Sequence, residues 1–244
     1  MSVCVFLGPS LPLDEARAAL DATFLPPAKR GDIMAALDAH HPRAIGLVDG
    51  YFEQAPSVWH KEILQALARG VPVFGAASIG ALRAAELAQF GMTGVGRIYQ
   101  AYVAGRFDPF DDPFEDDGEV AVAHGPAELG WTGTVALVDV RATLAAAREA
   151  GVVDDDGMNA ALAIAKGAFY KDRTWARMAR DLPPQLAARL QDKRVSQKRL
   201  DALELLARVG EPADAPRRMF RFERTALWDA AFGETASEAP WPSR

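Results

Sequence analysis

A chain of 244 residues, half of them hydrophobic and a quarter charged, is long enough for one sizeable core or two small domains and needs no covalent staple to fold. A net charge of −6 argues against a nucleic-acid or anionic-membrane surface, and the single cysteine, Cys4, excludes an internal disulfide and any cysteine-built metal site. No basic flank precedes a long apolar core at the start, and no run approaches about 18 apolar residues, so a cytoplasmic protein without signal peptide or membrane span is expected.

Val3 to Leu7 is an apolar run ended by Gly8-Pro9-Ser10, which predicts a strand and a loop. Leu13 to Ala22 follows as a helix, with Asp14 and Glu15 favouring its first turn. Pro26 to Asp32 reads as a rigid loop, and Ile33 to His40 as a helix capped by Asp32, with His40 and His41 as partners of its C-terminal dipole. Ala44 to Val48 is a second strand, closed by Asp49-Gly50. Pro56 to Arg69 has a proline near its start and Gly70 after its end, as a helix does.

Val71 to Phe74 is the third strand, and the pattern turns helical from Ile79 to Phe90. Strands separated by helices predict right-handed βαβ units and a parallel sheet of Rossmann-like or flavodoxin-like type. Ligands of such sheets bind beyond the carboxyl ends of the strands. Three loops converge there: 8–10, 49–53 and 75–80.

Residues 91–105 are glycine-rich, with an amphipathic segment around Ile98 to Tyr102. Asp108, Asp111, Asp112, Glu115, Asp116, Asp117 and Glu119, interrupted by Pro109 and Pro113, predict a solvated, mobile loop. Their spacing does not follow a calcium-binding loop, so no metal is expected. Val120 to His124 reads as a fourth strand, ended by Gly125-Pro126. Helices are then predicted over Val135 to Ala150, Met158 to Lys171, Trp175 to Asp181, Gln185 to Val209 and Arg217 to Phe232, before a frayed tail. The expected organisation is an α/β core over 1–130, an α-helical region over 131–232 and a flexible tail over 233–244.

The junction Gly75-Ala76-Ala77-Ser78-Ile79-Gly80 places a serine between strand and helix, beside free N–H groups that can hold an oxyanion. It is a loose version of the Gly-x-Ser-x-Gly elbow, since Ala76 replaces the first glycine. Ser78 is thus a nucleophile, an oxyanion donor or a plain helix cap. No Gly-x-Gly-x-x-Gly or Walker motif occurs, so no nucleotide cofactor is expected.

Phe6-Leu7-Gly8-Pro9-Ser10-Leu11, Pro27 to Asp32, Asp49-Gly50-Tyr51-Phe52, Val58 to Ile63, Gly75 to Leu87 and Val120 to Gly125 together resemble the core of the TfuA-like family. The helical part resembles it more loosely, at Arg141-Ala142-Thr143, Asp172 to Trp175 and Gln197 to Ala202. The resemblance implies a partner of YcaO enzymes in forming backbone thioamides. It further implies hydrolysis of the C-terminal thiocarboxylate of a ubiquitin-like sulfur carrier, with the released sulfide installed by YcaO using ATP. The other reading is a non-catalytic scaffold that binds YcaO and its peptide. A homodimer is compatible with the sequence.

Thiocarboxylate hydrolysis needs a nucleophile or activated water, a base and oxyanion donors. Ser78 takes the first role, with the Ile79 and Gly80 N–H groups as donors. His124, at a strand end, and His60, on a helix, are the candidate bases, with Lys61 a further one. Asp49 either orients the base or is a simple turn aspartate. Ser10 is a second hydroxyl at the same edge. Arg83 either pairs with Glu86 or binds the carrier's terminal carboxylate. Lys29 and Arg30 are expected to meet the carrier, and Tyr51, Phe52 and Trp59 to line its groove or pack in the core.

Overall fold

The computed structural model describes residues 2–51, 53, 55–114, 116–125, 133–211 and 220–233. Strands β1 (Val3–Phe6), β2 (Thr23–Leu25), β3 (Ala44–Leu47), β4 (Val73–Gly75) and β5 (Thr93–Gly94) form one parallel sheet in the order β2-β1-β3-β4-β5. This is the flavodoxin-like order, in which winding reverses between β1 and β3 and opens a crevice at their carboxyl ends.

Helices α1 (Leu13–Ala19), α2 (Asp32–His40), α3 (His60–Ala68), α4 (Ile79–Leu87) and α5 (Gly96–Ala104) belong to the sheet-forming half. The rest of the chain adds α6 (Leu137–Glu149), α7 (Asp155–Gly167), α8 (Trp175–Asp181), α9 (Pro184–Gln191), α10 (Gln197–Gly210) and α11 (Ala226–Phe232). Alternation along the strands divides the core into two layers. Phe6, Ile45, Leu47 and Val73 pack with α2, α3 and Trp228 of α11. Val3, Val5, Ala44, Val48 and Phe74 pack with Ala16 of α1 and with Ala202, Leu205, Leu206 and Val209 of α10. Gly46 makes room for α10, since a Cβ there would lie 2.9 Å from Leu205 Cδ2. A helix from late in the chain therefore covers the sheet formed early.

A third core gathers Phe107, Phe110, Phe114 and Val120 with the inward faces of α6, α7 and α8. The acidic stretch is therefore not the solvated loop that its composition suggests. Burying three phenylalanines contributes roughly 1.5–3 kcal/mol each, and Asp112 and Glu119 both bind the buried Arg141.

Other expectations also change. Val120 to His124 is not a strand: a 3-10 turn over Asp117–Glu119 leads into it, and the pairing of His124 with Gly133 is an isolated antiparallel bridge. The helix predicted from Pro56 begins at His60, where Glu62 accepts the Trp59 N–H (3.3 Å) and the Gly31 N–H (2.8 Å). Gly31 rather than Asp32 occupies the cap position of α2, with φ +96°. The helix predicted over 185–209 is two helices, broken before Ser196, whose hydroxyl caps α10. Strands β2 and β5 are not expected from the sequence patterns. Phe52, Glu115, Pro126, the start of the last predicted helix at 217–219 and the tail from 234 lie outside the described residues.

Candidate functional site

Between β4 and α4 the chain turns in three residues. Ala77 adopts φ +65°, and the Ser78 N–H donates back to Ala76 O at 2.7 Å, a tight and strained turn. Glycines on both sides allow it. A Cβ on Gly75 would sit 2.1 Å from Gly80 O, and one on Gly80 would sit 1.8 Å from Leu47 O, so α4 is pressed directly onto β3. The strained residue is the one before Ser78, which places the elbow one position earlier than its sequence suggests.

Ser78 occupies the N-cap position of α4, yet its side chain makes no capping hydrogen bond. It is 8 % exposed and lines a cleft. Of the two donors expected for an oxyanion, Gly80 N–H is engaged with Val48 O at 3.3 Å, so only the Ile79 N–H is available. Gly80 serves the close approach of helix and strand instead.

The cleft has a volume of about 90 Å³ and opens at the β1/β3 crevice. Asp49, Tyr51, Ser78 and His124, all expected at the site, lie on its walls. Asp49 follows β3 and is 1 % exposed. Its Oδ2 accepts the Gly8 N–H (2.9 Å) and the Ser10 N–H (3.1 Å), and its Oδ1 accepts the Ser10 hydroxyl (2.6 Å). Its carboxylate ties the loop after β1 to the loop after β3. Ser10 is thereby the donor that holds Asp49.

His124 Nδ1 lies 2.9 Å from Gly125 O. A carbonyl can only accept, so Nδ1 carries the hydrogen and Nε2 is the basic nitrogen.

Lys198, from α10, has no role that the sequence patterns suggest. It is 3 % exposed, its ammonium donates to Val120 O at 3.0 Å, and it lies 4.0 Å from Asp49 Oδ1. Glu53 and Lys171 form an ion pair at the rim, and Tyr170 also binds Glu53. These two bonds, Lys171 first, hold the Glu53 carboxyl below its usual range.

The remaining candidates lie elsewhere. His60 Nε2 is 2.8 Å from Glu86, on an exposed surface. Arg83 donates to Glu86 (2.6 Å), Val58 O (3.3 Å) and Ser57 Oγ (3.3 Å). Arg30 stacks over Trp59, 4.9 Å from the ring centre, Lys29 abuts Asp32 through its backbone, and the Lys61 ammonium donates to Glu223 O. None of these five side chains lines the cleft.

A second polar cluster is buried away from the cleft. Arg141 donates to Glu119 through Nε (2.9 Å) and Nη2 (2.7 Å), and to Asp112 through Nη1 and Nη2 (both 2.7 Å). Lys166 adds a bond to Asp112 at 2.6 Å. The Arg141 guanidinium holds the Asp112 carboxyl well below the usual carboxylate range. Among the described residues, no group of three or more His, Cys, Asp or Glu is placed to hold a metal ion, and no helix is long and apolar enough to cross a membrane.

A family model described as TfuA-like protein matches residues 49–174, just over half of the chain. The match begins at Asp49 and takes in Ser78, His124 and Lys171, but not Ser10 or Lys198. No curated protein matches the chain.

Proposed function

The chain belongs to the TfuA-like protein family, whose members assist YcaO-related thioamidation, and on that premise we propose that it hydrolyses the C-terminal thiocarboxylate of a ubiquitin-like sulfur carrier in the cytoplasm, releasing sulfide for YcaO. The observation that carries the proposal is Ser78, 8 % exposed on the cleft wall and adjoining the N-terminus of α4, whose side chain makes no capping hydrogen bond. A serine at the N-cap position that does not cap its helix keeps its hydroxyl for a ligand in the cleft. The small volume suits the slender end of a glycine-rich tail.

In this reaction the Ser78 oxygen attacks the thiocarboxylate carbon while His124 Nε2 takes its proton. The Ile79 N–H and the positive end of α4 stabilise the oxyanion. The C–S bond then breaks, and sulfur departs as HS⁻ with the proton held by His124. Water hydrolyses the resulting acyl ester, freeing the carrier's carboxylate and regenerating the serine. Asp49 contributes by fixing both loops of the crevice.

The scaffold reading rests on a different observation: Asp49 is spent on Gly8 and Ser10 and orients no histidine. Sulfide release from a thiocarboxylated carrier separates the two. Release by the parent, lost in folded Ser78→Ala and His124→Ala, is expected; no release by a parent that still binds YcaO would establish the scaffold.

A further inference from the structure

Lys198 brings spare hydrogen-bond donors to the cleft. The Lys198 ammonium has three hydrogens but a single hydrogen bond, to Val120 O, because Asp49 at 4.0 Å lies beyond bonding reach. Asp49 does not need it, being filled by three donors from the β1 loop. The Ser78 hydroxyl and the Ile79 N–H also lack acceptors among the described residues. Of the other acidic groups lining the cleft, Glu53 is paired with Lys171, and burial, with Asp116 beside it, raises the Asp117 carboxyl above its usual value.

A buried ammonium with spare donors calls for an acceptor-rich, negatively charged ligand. We infer that Lys198 is the binding residue for the anionic end of the substrate, so that the cleft selects acyl compounds ending in a carboxylate or thiocarboxylate over neutral amides and esters. This deepens the hydrolase proposal and rests on it for the identity of the thiocarboxylate. The chemistry explains why a cation is needed. A thiocarboxylate already carries a negative charge, so attack by oxygen builds a second one on the tetrahedral carbon's substituents. An ammonium in the same water-poor cleft offsets that charge in the ground state and more strongly as it grows.

The test measures binding, independent of turnover. A short peptide ending in Gly-Gly with a free carboxylate and the same peptide as its C-terminal amide are titrated calorimetrically into the full chain, into Lys198→Met and into Lys198→Arg. The parent should prefer the free acid by about tenfold or more. Lys198→Met, which keeps the apolar stem, should lose the preference, and Lys198→Arg should retain part of it. Equal binding of the two peptides by the parent, a preference that survives in folded Lys198→Met, or no binding of either at saturating concentration would overturn the assignment. An acid preference that depends on Lys198 in a parent that releases no sulfide would keep the anion site and remove the hydrolase.

Discussion

Arg141 and Lys198 are both buried cations, and the protein surrounds them differently. Arg141 is enclosed by two carboxylates that accept four hydrogen bonds from it, and it joins the acidic stretch to α6. The Lys198 ammonium meets one carbonyl, a carboxylate already occupied by other donors, and the field of Asp139, which accepts the Lys198 backbone N–H. The first arrangement is closed and holds the helical core together. The second is open and costs stability until something binds. Saturation of hydrogen bonds, more than burial or charge, separates a structural cation from one reserved for a ligand.

The comparison can be broken most forcefully at Arg141. Arg141→Met leaves Glu119 buried without its partner and should cost about 3–5 kcal/mol in urea denaturation, while folded molecules keep any sulfide release. Ser78→Ala should behave oppositely. Sulfide release should fall about a hundredfold or more, with stability changed by less than about 1 kcal/mol because the hydroxyl gives up no bond.

Asp201, on the same helix as Lys198, sharpens the contrast from the acidic side. It accepts the Ile98 N–H and the Gln197 amide, both at 2.7 Å, yet burial pushes its carboxyl up to about 6. A carboxyl raised above its unfolded value binds its proton more tightly when folded. Its contribution to stability is therefore full below about pH 4 and is lost as pH rises through about 6, a change of up to about 3 kcal/mol. Denaturation of Asp201→Asn across this range should show a correspondingly flatter profile. The smallest effect belongs to Glu53→Gln. The pair with Lys171 is about half exposed and screened by solvent, so the melting temperature should stay put while the apparent KM for the carrier shifts by a few-fold.

The alternation of apolar runs with helical segments makes the parallel sheet legible in the sequence. The two edge strands are not legible there. Thr23–Leu25 is half-buried and runs into Pro26-Pro27, and Thr93–Gly94 is too short to leave a periodic signal. The acidic stretch misleads because its carboxylates read as a solvated set, whereas Phe107, Phe110 and Phe114 between them carry the core signal. Along the cleft, Asp49, Tyr51 and Ser78 are readable because each follows a strand at the sheet's carboxyl edge, whereas His124 is expected there only as the end of a strand that does not form. His60, Arg83, Lys29 and Arg30 are polar residues on nearby helices and loops, and nothing local says that their side chains point away from the cleft. Lys198 falls in the family-like stretch Gln197 to Ala202, yet its role is not legible there, because its place depends on α10 docking across the sheet, a contact between distant parts of the chain. Ser196, which breaks the predicted long helix, is the sole local hint of where α10 starts.

The covering of β1, β3 and β4 by α10 has a consequence during synthesis. The ribosome delivers the sheet first and its lid of Ala202, Leu205, Leu206 and Val209 much later. Until then the nascent sheet presents Val3, Val5 and Phe74 uncovered, a surface for chaperones to hold. The cleft gains its lysine in the same late step, so an incompletely translated chain has the serine without the cation, and on the proposed mechanism it cannot yet hold its substrate.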